Sequence, residues 1–422
     1  MANCDSYNDQ NCPKGVDMSN VIGRDELNFV TFGCWGVYCL DGEVRLKKKT
    51  QTYGGLRVSQ GLQRFSHDKH LDFVTLTGDN IYSRPLEQAE TGYTNRPQYD
   101  IERQMQDGFT KCFEDVRVDA FYIGVGNHDI EDCDILNAQL RYHDPRWRMP
   151  GTYYSVLHEL QSYRVRMIFM DTNLYSDKSP FCKHNGPDAI QIAKKVQLDW
   201  LHSQMGIANI NNEVIILSGH VPIQCNNHKF KKKSFFDGLE QKGGVSLDGH
   251  LVATLKDEEE DQGLLDFRWV TYSAELENDI TLLHQKYFID LYMCADTHNK
   301  QIIEGTDEIP VQLVCGTGGT SLDPVLLDSR TDIGKRTLFA KSSYGFAHVS
   351  VNRDREIKID IYLTTLHDVT REFSVVISDH PMNSNTRSRS SEYTQNPKQP
   401  PQRSSSAIVA RPAYHVLPIS IK

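Results

Sequence analysis

The sequence predicts an α/β fold, on three observations. Apolar runs of strand length recur along the chain, turn residues follow each of them, and apolar stripes at helical spacing fall between several. Strands are predicted over 29–32, 71–77, 120–125, 165–171, 213–218, 288–294, 311–315, 346–351 and 357–363. Ile101, Met105, Phe109 and Cys112 form one helical stripe, and Ala189, Ala193, Val196 and Trp200 form another, because residues three or four apart share a helix face.

With 422 residues, 39% of them apolar, the chain is long enough for one large core or two ordinary ones. Residues 1–26 read as a polar N-terminal extension and 27–379 as the folded domain. Within that domain, about 228–265 reads as a surface insertion, with a lysine cluster at Lys231–Lys233, a glycine pair and an acidic run over Asp257–Asp261. Residues 380–422 are rich in Ser, Arg and Pro and offer too little apolar surface to offset chain entropy, so this tail is expected to be disordered.

The first twenty residues lack an apolar run, and nowhere do about 18 apolar residues follow one another, which excludes a readable signal peptide and a membrane partner. The ten cysteines include no Cys-x-x-Cys pair, and no Asn-x-Ser/Thr acceptor is present. They are therefore read as reduced thiols of a cytoplasmic or nuclear protein. A formal net charge of -10 argues against broad nucleic-acid binding. The tail departs from this balance, with six basic residues against the single acid Glu392.

Five segments share one design, in which an apolar strand runs into a turn of small residues bearing Asp, Asn, His or Cys. They are Gly33-Cys34-Trp35-Gly36, Gly78-Asp79-Asn80-Ile81-Tyr82, Gly126-Asn127-His128-Asp129, Gly219-His220-Val221-Pro222 and Ala295-Asp296-Thr297-His298-Asn299. In open α/β sheets the loops at the carboxyl ends of strands converge on one crevice, so residues far apart in sequence meet there. Oxygen and imidazole donors in this mixture suit Zn, Fe or Mn. Taken singly, each of these residues reads as an ordinary turn or cap residue. His67, His70, His143, His202, His228, His284 and His367 fit no such segment.

With these motifs in this order, the chain resembles the tartrate-resistant, purple acid phosphatase branch of the calcineurin-like metallophosphoesterases, from about Asn28 to Leu363. Non-ligand detail supports the likeness: Asp144-Pro145-Arg146-Trp147, Met170-Asp171-Thr172, Gly316-Thr317-Gly318-Gly319 and Gly345-Phe346-Ala347. The resemblance implies an α/β/β/α sandwich of two mixed sheets flanked by helices. It also implies two metal ions, Fe, Zn or Mn, bridged by Asp79. Tyr82 and His298 match further ligands of the first metal, and Asn127 and His220 match ligands of the second. His128 matches the residue that binds phosphate and protonates the leaving group. Two positions depart from the pattern: Cys34 stands where the family has Asp, and Asp296 where it has His. Asp296 keeps an oxygen donor, whereas a Cys34 thiolate suits zinc and not a hard ferric ion. The Cys34 side is thus expected to be weak, refilled by zinc, or empty.

Two functions follow as alternatives. One is hydrolysis of a phosphomonoester at an altered binuclear site, with Asp79 and His128 as the catalytic residues. The other is a catalytically inactive scaffold that binds a protein partner through the insertion at 228–265 or the tail at 380–422.

Overall fold

The computed structural model describes residues 15–36, 54–82, 98–131, 133–176, 187–226, 273–325, 327–380 and 388–392. The expected insertion and most of the expected tail lie outside the described residues. Strands β1 (Val16–Val21), β2 (Leu27–Phe32), β3 (Phe73–Leu76), β4 (Phe121–Ile123) and β5 (Trp147–Arg148) come first. They are followed by β6 (Tyr154–Glu159), β7 (Arg164–Phe169), β8 (Val214–Ser218), β9 (Leu291–Cys294), β10 (Lys300–Ile303) and β11 (Gln312–Cys315). The last are β12 (Thr337–Lys341), β13 (Gly345–Val351), β14 (Ile357–Thr364), β15 (Val369–His380) and β16 (Ser388–Glu392). Helices α1 (Gly54–Asp68), α2 (Gln98–Met105), α3 (Cys133–Leu140), α4 (Pro187–Ile210), α5 (Ala274–Tyr287) and α6 (Asp332–Arg336) fall between them.

Two eight-stranded sheets result, ordered β1-β6-β7-β8-β9-β11-β10-β12 and β16-β15-β14-β13-β2-β3-β4-β5. Both are mixed. In the first, β7, β8, β9 and β11 run parallel, β10 turns back antiparallel to β11, and β12 pairs antiparallel with β10. In the second, β2 to β5 are parallel and β13 to β16 antiparallel, with β2 joined to β13. This is the α/β class that the apolar pattern predicts and the sandwich of two mixed sheets flanked by helices that the resemblance implies.

Alternation along the strands shows why the runs read as continuously apolar. On β7 and β8, Val165, Met167, Phe169, Val214 and Ile216 belong to the core shared with the second sheet. Ile168, Ile215 and Leu217 belong to a separate cluster under α4 and α5. A strand covered on both faces has no polar side to alternate with. On the other sheet, Val58, Leu62 and Phe65 of α1 pack into the larger core.

All nine predicted strands occur, and further strands join them. Val16–Val21, inside the segment expected as an extension, pairs in parallel with Tyr154–Glu159. Its residues are almost all exposed, so its composition is that of a solvated edge. Ser388–Glu392, inside the expected tail, pairs with the end of β15, an arrangement that backbone groups supply without apolar side chains. The first helical stripe is interrupted, since α2 passes into a π-helical turn over Gln106–Lys111 that keeps Phe109 buried. The second stripe is displaced: Val196 is exposed, and the buried face of α4 carries Lys194, Gln197 and Gln204 beside Ala193, Leu201 and Met205.

Cys34, Cys112, Cys225, Cys294 and Cys315 are reduced. Cys133 is disulfide-bonded, which corrects the expectation of uniformly reduced thiols; the spacing of cysteines in sequence does not encode such a pairing. No helix among the described residues is long and apolar enough to cross a membrane.

Candidate metal centre

The five turns leave the carboxyl ends of β2, β3 and β4 in one sheet and of β8 and β9 in the other, and they interlock. The Gly33 amide donates to the Cys315 carbonyl (2.8 Å), Cys34 to that of Gly78 (2.9 Å), and Ala295 to that of His220 (2.8 Å). Gly78 has φ +93°, and a side chain there would strike the backbone of Gly126 and the ring of His220. A side chain at Gly126 would collide with Asp79. These two glycines let the turns from β3 and β4 approach within contact distance.

Cys34, Asp79 and Asp296 each have left-handed backbone, with φ of 55°, 57° and 51°. For non-glycine residues that conformation costs about 1–2 kcal/mol each and clusters at functional sites. It turns the three side chains inward at the point where their strands end.

Asp79 lies at the centre. Its Oδ1 is 3.3 Å from His220 Nε2 and accepts from the His128 amide at 3.1 Å. Its Oδ2 accepts from the Tyr82 hydroxyl at 3.1 Å. His220 Nδ1 is 2.7 Å from the Thr77 carbonyl oxygen, which only accepts, so Nδ1 carries a proton. Nε2 then faces three oxygens: Asn127 Oδ1 at 3.2 Å, Asp79 Oδ1, and Asp296 Oδ1 at 3.7 Å. A neutral ring would turn its lone pair on those oxygens, so the cluster requires a positive charge, either a proton or a cation. Burial alone would lower the pKa of His220, but Asp79 and Asp296 raise it to about 9. Burial would raise Asp79, yet His220 and His128 hold it well below the usual carboxylate range.

On the other side of Asp79, a sulfur of Cys34, a carboxylate oxygen of Asp79 and a ring nitrogen of His298 lie within 4.8 Å of one another. The Tyr82 hydroxyl is within hydrogen-bonding reach of the same thiol. Burial, then Asp79 and Asp296, push the Cys34 thiol well up. Cys34, Asp79, His220 and Asp296 are buried, while Asn127, His128, Tyr82 and His298 reach solvent and form the mouth of the site. The structure thus brings all eight sequence-predicted residues into one pair of adjoining clusters with an exposed rim.

Three acidic residues to which the sequence reading gave no role hold this arrangement. Asp129 is fully buried; its Oδ1 accepts from the amides of Asn80 (2.8 Å) and Ile81 (3.0 Å), its Oδ2 from that of Gly126 (2.8 Å). It ties the Asp79 turn to the Asn127 turn. Burial, with Asp79 nearby, pushes it up to about 7. Glu131 Oε1 is 2.7 Å from His128 Nδ1, leaving Nε2 of His128 for a ligand. Asp323 Oδ2 accepts from the His298 amide at 3.2 Å and lies 3.9 Å from Nδ1. Asp129 and Glu131 follow the Gly126-Asn127-His128 turn directly, which is the signal available in sequence. Asp323 carries none.

Comparison with known proteins places this geometry in context. The family model of calcineurin-like phosphoesterases matches residues 52–300. No curated protein sequence matches the chain. Among solved structures, the chain is similar to GAP50, the anchor in the inner membrane complex of Plasmodium, at 17% identity over 82% of this chain and 89% of that one, with a TM-score of 0.53. It is also similar to a purple acid phosphatase from yellow lupin (Lupinus luteus) seeds, at 15% identity over 83% and 53%, TM-score 0.48. A dimetal phosphatase from Danio rerio aligns at 10% identity over 82% and 98%, TM-score 0.45.

Proposed function

The chain belongs to the calcineurin-like phosphoesterase family, and on that premise we propose that it is a phosphomonoesterase of the purple acid phosphatase type working at an altered metal pair. One observation carries this reading: the Asp79 carboxylate turns Oδ1 to His220 and Oδ2 to Tyr82, so that a single carboxylate serves two donor clusters. The donors fit cations. Asp79, Asn127, His220 and Asp296 would hold one, and Asp79, Tyr82, His298 and Cys34 the other.

Cations held by these donors would make a water nucleophilic at neutral pH and offset the charge on the phosphate oxygens. The chain's own residues supply the rest. Asn127 and His128 at the mouth orient the phosphoester, and His128 donates a proton to the leaving oxygen. Its hydrogen bond to Glu131 offsets the effect of burial and keeps the ring's pKa above its ordinary value, so the proton to be donated is in place. Asp129 fixes the separation of the Asp79 and Asn127 turns.

The test is hydrolysis of p-nitrophenyl phosphate by the full chain supplied with Zn, Mn or Fe salts. Asp79→Ala should abolish turnover, and His128→Ala should lower it about 10²- to 10⁴-fold, the usual worth of general acid catalysis. Equal rates in wild type and Asp79→Ala would refute the proposal.

A second reading has its own observation. Cys34 places a buried, hard-to-ionise thiol where an oxygen donor belongs, which favours a retired phosphatase fold that binds a protein partner through the insertion or the tail. No turnover with any of the three metals, in a folded protein, would favour this reading.

A further inference from the structure

The two halves of the site differ in donor chemistry, and we propose that they sort two kinds of ion: a thiophilic divalent ion of the zinc class on Cys34, Asp79, Tyr82 and His298, and an oxygen-preferring cation on Asp79, Asn127, His220 and Asp296. This inference rests on reading the site as a metal centre and adds to it the selectivity of each half.

Geometry supports the thiophilic half. Cys34 Sγ, an Asp79 oxygen and a His298 nitrogen lie within 4.8 Å of one another, and bonds of about 2.3 Å to sulfur and about 2.0–2.1 Å to nitrogen or oxygen let one ion reach all three with small adjustments. The backbone that carries this sulfur is fixed. Its residue is fully buried in a left-handed turn, with its amide on the Gly78 carbonyl (2.9 Å) and its carbonyl accepting from Thr320 (3.2 Å). Asp323 accepts from the His298 amide at 3.2 Å, which anchors the turn that carries this ligand, and sets a carboxylate 3.9 Å from its ring Nδ1. On binding, the Cys34 thiol proton and the Tyr82 hydroxyl proton are released to solvent as the bonds to sulfur and to the phenolic oxygen form.

The opposite half contains no sulfur. It offers one imidazole nitrogen and oxygens from a carboxamide and two carboxylates, a set that suits Mn or Mg as well as Zn. Thiolate softness is thus the property that separates the two halves, and it resides in Cys34 alone.

Cobalt reports sulfur ligation directly. The full chain, stripped by a chelator and titrated with Co(II), should develop a thiolate-to-cobalt charge-transfer band in the near ultraviolet, and Zn(II) should bleach it while Mn(II) does not. Cys34→Ser should remove the band and weaken zinc binding at least about 10- to 100-fold, since loss of mere supporting groups already costs that much. His298→Ala should weaken the band, and His220→Ala should leave it. Circular dichroism melts of each variant establish that it is folded. Cobalt binding without the band, or a band that survives in folded Cys34→Ser, would overturn the inference. Turnover of p-nitrophenyl phosphate with Mn(II) in the absence of the band would leave the phosphatase reading standing. The band without turnover in any metal would do the reverse.

Discussion

His158 shows how a single side chain can set a property of the whole chain. It sits on β6 with no exposure, its ring stacked on Phe73 at 4.6 Å and edge-on to Tyr122 at 5.8 Å, and neither ring nitrogen has a hydrogen-bond partner. Burial pushes its pKa down to about 3. An unfolded chain binds a proton at about pH 6.5, which the native ring refuses until about pH 3, so in that window native stability falls as pH falls. Each pH unit below 6.5 costs about 1.4 kcal/mol from this residue. His158→Phe should therefore flatten the acid limb of a urea-midpoint profile between pH 6 and 4, whatever it does to packing at pH 7. An unchanged slope would mean that other groups govern acid sensitivity. Nothing in the sequence marks His158, because burial of a lone histidine depends on which strand face meets the other sheet. Asp79 and His220 were legible for the opposite reason: glycine beside them at a strand end marks a turn whose geometry local sequence decides.

At the scale of elements, the two sheets are pinned by charge as well as by apolar packing. Lys300 on β10 belongs to the first sheet, and its fully buried ammonium donates to the Tyr362 carbonyl (2.9 Å) and to Glu372 (3.0 Å) on β14 and β15 of the second. Lys341 on β12 bonds the same carboxylate at 2.5 Å. Burial pushes Lys300 down despite Glu372, whereas the two lysines outweigh burial at Glu372 and hold it low. Such a network adds little net stability but fixes where the sheets meet, and removing one partner leaves a buried charge uncompensated. Glu372→Ala should cost about 3–5 kcal/mol in urea unfolding, and the double variant Lys300→Met, Glu372→Leu should recover most of it. A loss below about 0.5 kcal/mol in the single variant would show that water reaches the lysine. β10, β12 and β15 were not predicted from sequence, and these charges explain why: Lys300 is buried yet reads as surface. The same holds for α4, whose buried Gln197 holds the Asp171 amide at 2.8 Å and whose Gln204 holds Arg166 at 2.9 Å. Strands buried on both faces announced themselves, and polar residues with specific partners did not.

Over the whole molecule, the candidate site is the point where chain segments distant in sequence and in different sheets are drawn together. Cys34, Asp79 and Asn127 follow β2, β3 and β4 of one sheet; His220, Asp296 and His298 follow β8 and β9 of the other. Cations held there would cross-link the sandwich at one end, much as Lys300 and Glu372 do elsewhere. Because the unfolded chain cannot gather these donors, binding stabilises the native state by about 2.7 kcal/mol at a hundredfold excess over Kd. The melting temperature of the full chain should therefore rise by a few degrees on adding zinc and fall back with a chelator. The rise should be absent in Asp79→Ala, which removes the shared ligand, and halved or less in Cys34→Ser or His220→Ala, which each damage one side. If wild type and Asp79→Ala shifted equally, the zinc would be acting at surface histidines, and the two sheets would owe their alignment to packing and buried charge alone. If Asp79→Ala lost the shift while turnover was undetectable in wild type, the molecule would be a phosphatase fold that retains its ions as a staple between sheets.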